Sequence, residues 1–257
     1  MLSSNRPSLM LFLLAAGCGA PASDFTVEDV VPTALVFEAM HPEPWLELAL
    51  DVDVLLDAVP ELSMALSSED SLCPALQVTD SGWTLLGDCS VDAERRVQGS
   101  LSFVENDSFM RLIGEGFEVY DNARLTLLFD GAVESSREGE IMELEAAVTA
   151  CGGPAIDCDA GRTALDVSYG VFPVSSVPDV YDVTVTGVVA APGYAPASVD
   201  GAWSVDQTLC EDEPLTGTVL IANDVAQAID FDGELACEGC ASRSVGGFAA
   251  EPVCDWR

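Results

Sequence analysis

Nine cysteines, one histidine and a large excess of carboxylates set the chemistry open to this 257-residue chain. The cysteines are Cys18, Cys73, Cys89, Cys151, Cys158, Cys210, Cys237, Cys240 and Cys254. Thiols in such numbers hold metal, exchange disulfides or staple a fold, and spacing together with compartment decides which. His41 is the only histidine, in His41-Pro-Glu-Pro-Trp45, so a His-rich zinc site or a two-His-one-carboxylate site lacks its ligands. Lysine is absent, which removes Schiff-base and Ser-Lys mechanisms. No Gly-x-Ser-x-Gly elbow, phosphate loop or dinucleotide fingerprint occurs, so the sequence predicts neither catalysis nor a cofactor. Cys237-Glu-Gly-Cys240 has the spacing of a redox or metal half-site, but outside the cytosol disulfides are the simpler use of so many thiols. Setting Cys18 aside leaves an even set, with Cys73–Cys89 and Cys151–Cys158 as short closures. The pairing within Cys210, Cys237, Cys240 and Cys254 stays open at this point.

Carboxylates are the other resource. Asp and Glu number 44 against nine basic residues, all of them Arg, for a formal charge of −35. Such a surface repels nucleic acid, whose affinity comes from basic side chains that displace counterions. It also repels anionic lipid, which needs clustered Lys and Arg. Two segments place oxygen ligands beside glycine, Asp157-Cys-Asp159-Ala-Gly161 and Asp230-Phe-Asp232-Gly233, and are the calcium candidates. Neither is a complete calcium loop, because further oxygen ligands and a distal Glu are missing. A glycosidase-like acid pair can be drawn from this many carboxylates, yet the linear sequence names none, which makes a carboxylate-dependent hydrolase the weakest functional reading.

Residues 1–17 hold one cation, Arg6, followed by the apolar run Leu9-Met-Leu-Phe-Leu-Leu-Ala-Ala16. That order is a secretory signal peptide, and the run is too short to span a bilayer as a helix, which takes about 20 apolar residues. The ending Ala15-Ala16-Gly17-Cys18 resembles the lipobox of bacterial lipoproteins, with Ala15 where Leu is commoner. The resemblance covers these first residues alone and implies cleavage before Cys18, acylation of its thiol and a covalent lipid anchor. Gly19 after the cysteine implies sorting to the outer membrane.

The remaining chain must position whatever these residues do. Residues 18–31 read as a tether. In 32–72, Leu48, Val52, Leu55, Val59, Leu62 and Leu66 recur at steps of three and four, which predicts a mainly helical segment broken at Pro60. Leu46 to Val54 also alternates strictly, so a strand is the rival there. Residues 73–257 read as a β domain, with alternation clear from about residue 83.

Within that domain a unit recurs: apolar, any, Gly, any, apolar. It stands at Val97-Gln-Gly99-Ser-Leu101, Phe129-Asp-Gly131-Ala-Val133, Val185-Thr-Gly187-Val-Val189, Val199-Asp-Gly201-Ala-Trp203, Leu215-Thr-Gly217-Thr-Val219, Phe231-Asp-Gly233-Glu-Leu235 and Val245-Gly-Gly247-Phe-Ala249. The last five start 14, 16, 16 and 14 residues apart, a long strand plus a turn. The glycine shares a face with the apolar residues, which predicts an inner-face notch where the sheet bends or another element approaches. The expected fold is mainly β and disulfide-rich: an antiparallel meander of eight to ten long strands, curved as an open sheet, half-barrel or barrel, with the N-terminal helical segment in its concavity.

The functional expectation is a lipoprotein of the cell envelope, lipid-anchored at the outer membrane, with a structural or interaction role and no enzymatic activity. The alternative is a carrier for an apolar ligand, using the concave face.

Overall fold

The structure is a computed structural model that describes residues 73–153, 157–174, 177–209, 214–233 and 240–254. The signal peptide, tether and helical segment expected over 1–72 lie outside the described residues, as does His41. Among the described residues there are 14 strands and no helix. Short strands β1 (Ala75–Thr79), β2 (Gly82–Leu86) and β3 (Cys89–Ser90) lead into long ones: β4 (Arg95–Glu105), β5 (Phe109–Asp121), β6 (Arg124–Glu138) and β7 (Ile141–Cys151). After these come β8 (Thr163–Pro173), β9 (Val180–Ala190), β10 (Ala197–Asp206), β11 (Pro214–Ala222), β12 (Ala226–Asp232), β13 (Cys240–Val245) and β14 (Phe248–Cys254).

Every pairing is antiparallel and follows chain order, from β1 through β2 and β4 onward to β14, with β3 beside β4. The path is open, because β1 and β14 are not joined, so a closed barrel is corrected to an open meander. The end strand suits that role: Pro252 on β14 has no N–H to offer a further neighbour. The long strands, β4 to β11, number eight, within the eight to ten long strands expected, and the sheet holds further strands beside them. The additions are short ones such as β1 and β3, whose five and two residues give too few alternations to register as a period.

Alternation builds the long strands. On β7, Leu144, Ala146, Val148 and Ala150 are buried while Glu143 and Glu145 are exposed. The same rule puts Val183, Val185 and Val189 inside from β9, and Val199 and Trp203 from β10. These residues join one apolar cluster running from Trp83 on β2 to Ala241 on β13. Phe103, Phe117 and Phe129 lie wholly inside it. Burying each such ring stabilises the fold by about 1.5–3 kcal/mol.

Turn chemistry sets where strands end. Asn106 accepts hydrogen bonds from the N–H groups of Ser108 and Phe109 between β4 and β5. Asn122 and Ala123 both take positive φ (50° and 64°), the two-residue turn that matches strand twist, between β5 and β6. One expected strand unit proves to be such a turn: Gly246 and Gly247 join β13 to β14. Another is cut short, since β12 stops at Asp232 just before Gly233.

The inner-face glycines answer to a closer neighbour than expected. A Cβ on Gly131 would lie 2.1 Å from the Ala147 carbonyl oxygen on β7, and φ there is 120°. The approaching element is thus the adjacent strand's own backbone. Side chains then spread over the vacated space: in register, Gly217 lies between Trp203 on β10 and Phe231 on β12. The notches are filled by large neighbours on the same row.

Candidate functional site

Among the residues whose burial is described no carboxylate is buried, and the buried polar side chains are Ser135, Thr163 and Gln227. What the acids do there is read from their partners. The register of β5 shifts between Gly114 and Phe117, where an extra residue leaves a backbone donor out of the ladder. Gly116 N–H donates to Asp130 Oδ1 at 2.9 Å, so the aspartate beside Gly131 satisfies that donor. A second shift, between Gln98 and Ser100, is treated alike, with Gly99 N–H donating to Asp88 Oδ1 at 3.2 Å. Across the sheet, Thr218 Oγ1 donates to Asp230 Oδ1 at 2.8 Å and Ser204 Oγ to Asp182 Oδ1 at 2.9 Å.

Loop acids cap their own turns. Asp92 accepts from Arg95 Nε at 2.7 Å and from the N–H groups of Glu94 and Arg95, and the Arg95 side chain above all lowers its pKa to about 2. Asp206 is lowered mainly by the Thr208 hydroxyl, which donates to it at 2.6 Å. Tyr120 is raised, chiefly because its hydroxyl donates to Glu118 at 2.7 Å, while Arg96 stacks over its ring at 4.6 Å. A glycosidase-type acid pair needs two carboxyls in one environment with pKa values pushed apart. Asp92 and Asp206 are instead each engaged by a separate local donor.

The calcium candidates are dispersed. Asp157 and Asp159 occupy the β7–β8 loop, where Asp159 N–H donates to Asp157 Oδ1 at 2.9 Å. Arg124, from the start of β6, takes both: its Nε donates to Asp159 Oδ1 at 2.9 Å, its Nη2 pairs with the other Asp159 oxygen, and Nη2 lies 3.5 Å from Asp157 Oδ1. Asp159, more than Asp157, raises the Arg124 pKa. A guanidinium thus stands on the oxygens that would ligate a cation. Asp230 lies far along the strand order on β12, and Asp232 ends that strand. Among the described residues no group of three or more Asp, Glu, His or Cys is placed to hold a metal.

The thiols present a different picture. Cys73–Cys89 and Cys151–Cys158 are disulfides, closing separations of 16 and seven residues. Loop-closure entropy makes such bridges worth about 3 and about 2 kcal/mol. The first ties the residues just before β1 to β3, and the second closes the loop that presents Asp157 and Asp159 to Arg124. Cys18, Cys210 and Cys237 lie outside the described residues. Cys240 and Cys254 fall in β13 and β14.

One inward polar group was not singled out by the sequence reading. Gln227 on β12 is 2% exposed, and among the described residues neither its amide nitrogen nor its amide oxygen has a hydrogen-bond partner. Its signal was present: it occupies the inward parity of Gln227-Ala-Ile229-Asp-Phe231, two residues before Ile229. No family model matches the chain, and neither a curated protein nor a solved structure matches it.

Proposed function

We propose that this chain is an exported lipoprotein, anchored in the outer membrane through acyl groups on Cys18, whose β domain is a non-catalytic scaffold with a structural or interaction role. One observation carries the reading: carboxylates and apolar side chains are segregated to opposite faces of the sheet. Glu143, Glu145, Asp166, Asp182 and Asp200 are exposed on successive strands, while the opposite parity forms one apolar cluster. Acids spread over an outward face are costly in hydrocarbon, which supports a domain bathed in water and tied to lipid by covalent acylation. The disulfides support an oxidising compartment outside the cytosol.

The meander curls into a half-barrel with its apolar side inward. Twisted sheets beyond about ten strands curl, and the residues with no exposed surface, from Leu85 on β2 to Ile229 on β12, support that shape. Trp203 and Phe231 fill the inner face, which favours a scaffold over a carrier with an open concavity. The carrier reading keeps one observation of its own, the buried Gln227 amide, which suits a polar group on an otherwise apolar ligand.

Mass spectrometry of the protein purified from envelopes tests the reading. The expected N-terminal peptide begins at Cys18 and carries acyl groups, with no lipid retained by the folded domain. A peptide that spans Cys18 with an unmodified thiol overturns the anchor, and a stoichiometric copurified lipid transfers the reading to the carrier.

A further inference from the structure

We propose that Cys240 and Cys254 form a disulfide that clamps the terminal β13–β14 hairpin. The two residues are register partners, at the open end of a hairpin whose turn is Gly246–Gly247. Directly opposed residues of antiparallel strands alternate between hydrogen-bonded pairs, with Cα atoms about 5.5 Å apart, and non-hydrogen-bonded pairs at about 4.5 Å. Pro252 fixes the phase of that alternation. It is paired with Ser242 and has no N–H, so it cannot serve in a pair that exchanges both bonds. Ser242 and Pro252 are therefore a non-hydrogen-bonded pair, Ala241 and Val253 a hydrogen-bonded one, and Cys240 and Cys254 return to the closer type. A disulfide requires Cα atoms about 4.4–6.8 Å apart, a range that includes this spacing.

The clamp has a job in this fold. Among the described residues β14 is the last strand of an open sheet and has β13 as its one neighbour. A terminal hairpin held on one side frays, and an unpaired edge recruits other strands. The same protein already holds Cys73 and Cys89 together beside its first strands, so both ends of the meander would be stapled alike. The clamp leaves Cys210 and Cys237, both outside the described residues, as the other two of the C-terminal set.

Formation needs an oxidant, and a disulfide-bearing donor of the exported compartment supplies it. One cysteine thiolate attacks the donor's S–S bond and releases one donor thiolate, giving a mixed disulfide. The second cysteine thiolate displaces the other donor thiolate. The hairpin loses two electrons and two protons, and the donor leaves as a dithiol.

The full mature protein is alkylated, unfolded without reductant, and cut after Glu and after Arg. Cleavage at Glu234, Glu238 and Arg243 separates the cysteines, with Cys237 in 235–238, Cys240 in 239–243, Cys254 in 244–257 and Cys210 in 163–211. The expected species is 239–243 joined to 244–257, two hydrogens lighter than the two thiol peptides together and split by reduction. Joining of 244–257 to 235–238 or to 163–211, or alkylation of Cys254, overturns the proposal. As a second readout, Cys254→Ser should expose Cys240 alone to alkylation. Exposure of Cys210 or Cys237 in its place also overturns it.

Discussion

Gly131→Ala should be among the most damaging single-methyl additions to this protein, and Gly116→Ala, a few residues away on the neighbouring strand, should be mild. Both glycines have positive φ, 120° and 56°, so alanine is disfavoured at either by about 1–2 kcal/mol. The difference lies in what the new methyl meets. At Gly116 nothing stands within 4 Å. At Gly131 the methyl would lie 2.1 Å from the Ala147 oxygen and 2.8 Å from Val148 Cα, both backbone atoms of β7. No rotamer relieves that contact, so β7 must withdraw where Gly131 pairs with Val148. Losing two ladder hydrogen bonds there costs about 1 kcal/mol each. The sum is about 3–4 kcal/mol for Gly131→Ala against about 1–2 for Gly116→Ala, out of a total that is about 5–15 kcal/mol for ordinary domains. Guanidinium unfolding of both variants, followed by tryptophan fluorescence with an unchanged m-value, measures this directly. Equal losses would mean that the notch serves φ alone and not the approach of β7.

Other perturbations follow from the same contacts. Asp130→Ala removes the acceptor of the Gly116 N–H and should cost about 1 kcal/mol, visible as faster amide exchange at Gly116; unchanged exchange would show that the aspartate is dispensable. Gln227→Leu replaces a buried amide with no partners and should raise stability by about 1–2 kcal/mol in a thermal melt, whereas a lower Tm would show that the amide is satisfied. Asp92 is held at about 2 against an ordinary 3.8, so its contribution is complete above 3.8 and is lost as pH falls through about 2. Asp92→Asn should therefore narrow the gap to the parent protein over that window in urea midpoints, and a gap constant with pH would contradict the assignment.

Much of the architecture was legible because long strands with one buried face write a period of two. Leu144-Glu-Ala146-Ala-Val148 shows it on β7, and Val183, Val185 and Val189 show it on β9. The short strands escaped because five residues such as Ala75–Thr79 offer no period to detect, and Val245-Gly-Gly247 imitated a strand unit while being a turn. Closure was illegible for a different reason: alternation reports faces, whereas edges depend on which strands lack a partner. The local disulfides were readable from spacing, since Cys73 and Cys89 flank a single hairpin and Cys151 and Cys158 flank a single loop. The role of Asp130 was not, because a bulge on β5 and an acid on β6 are related only through the register between them. Arg124 was invisible to the calcium reading for the same cause, standing 35 residues from Asp159 in sequence.

The proposed anchor makes lipid on Cys18 the link that joins the acidic domain to the membrane. Expressing the full chain and its Cys18→Ser variant with labelled palmitate, then separating outer-membrane and soluble fractions, tests it most directly. The expected outcome is a labelled parent protein in the outer-membrane fraction and an unlabelled variant displaced from it, with its disulfides intact. A variant that remains in the outer-membrane fraction, or a parent protein that takes up no label, would contradict it.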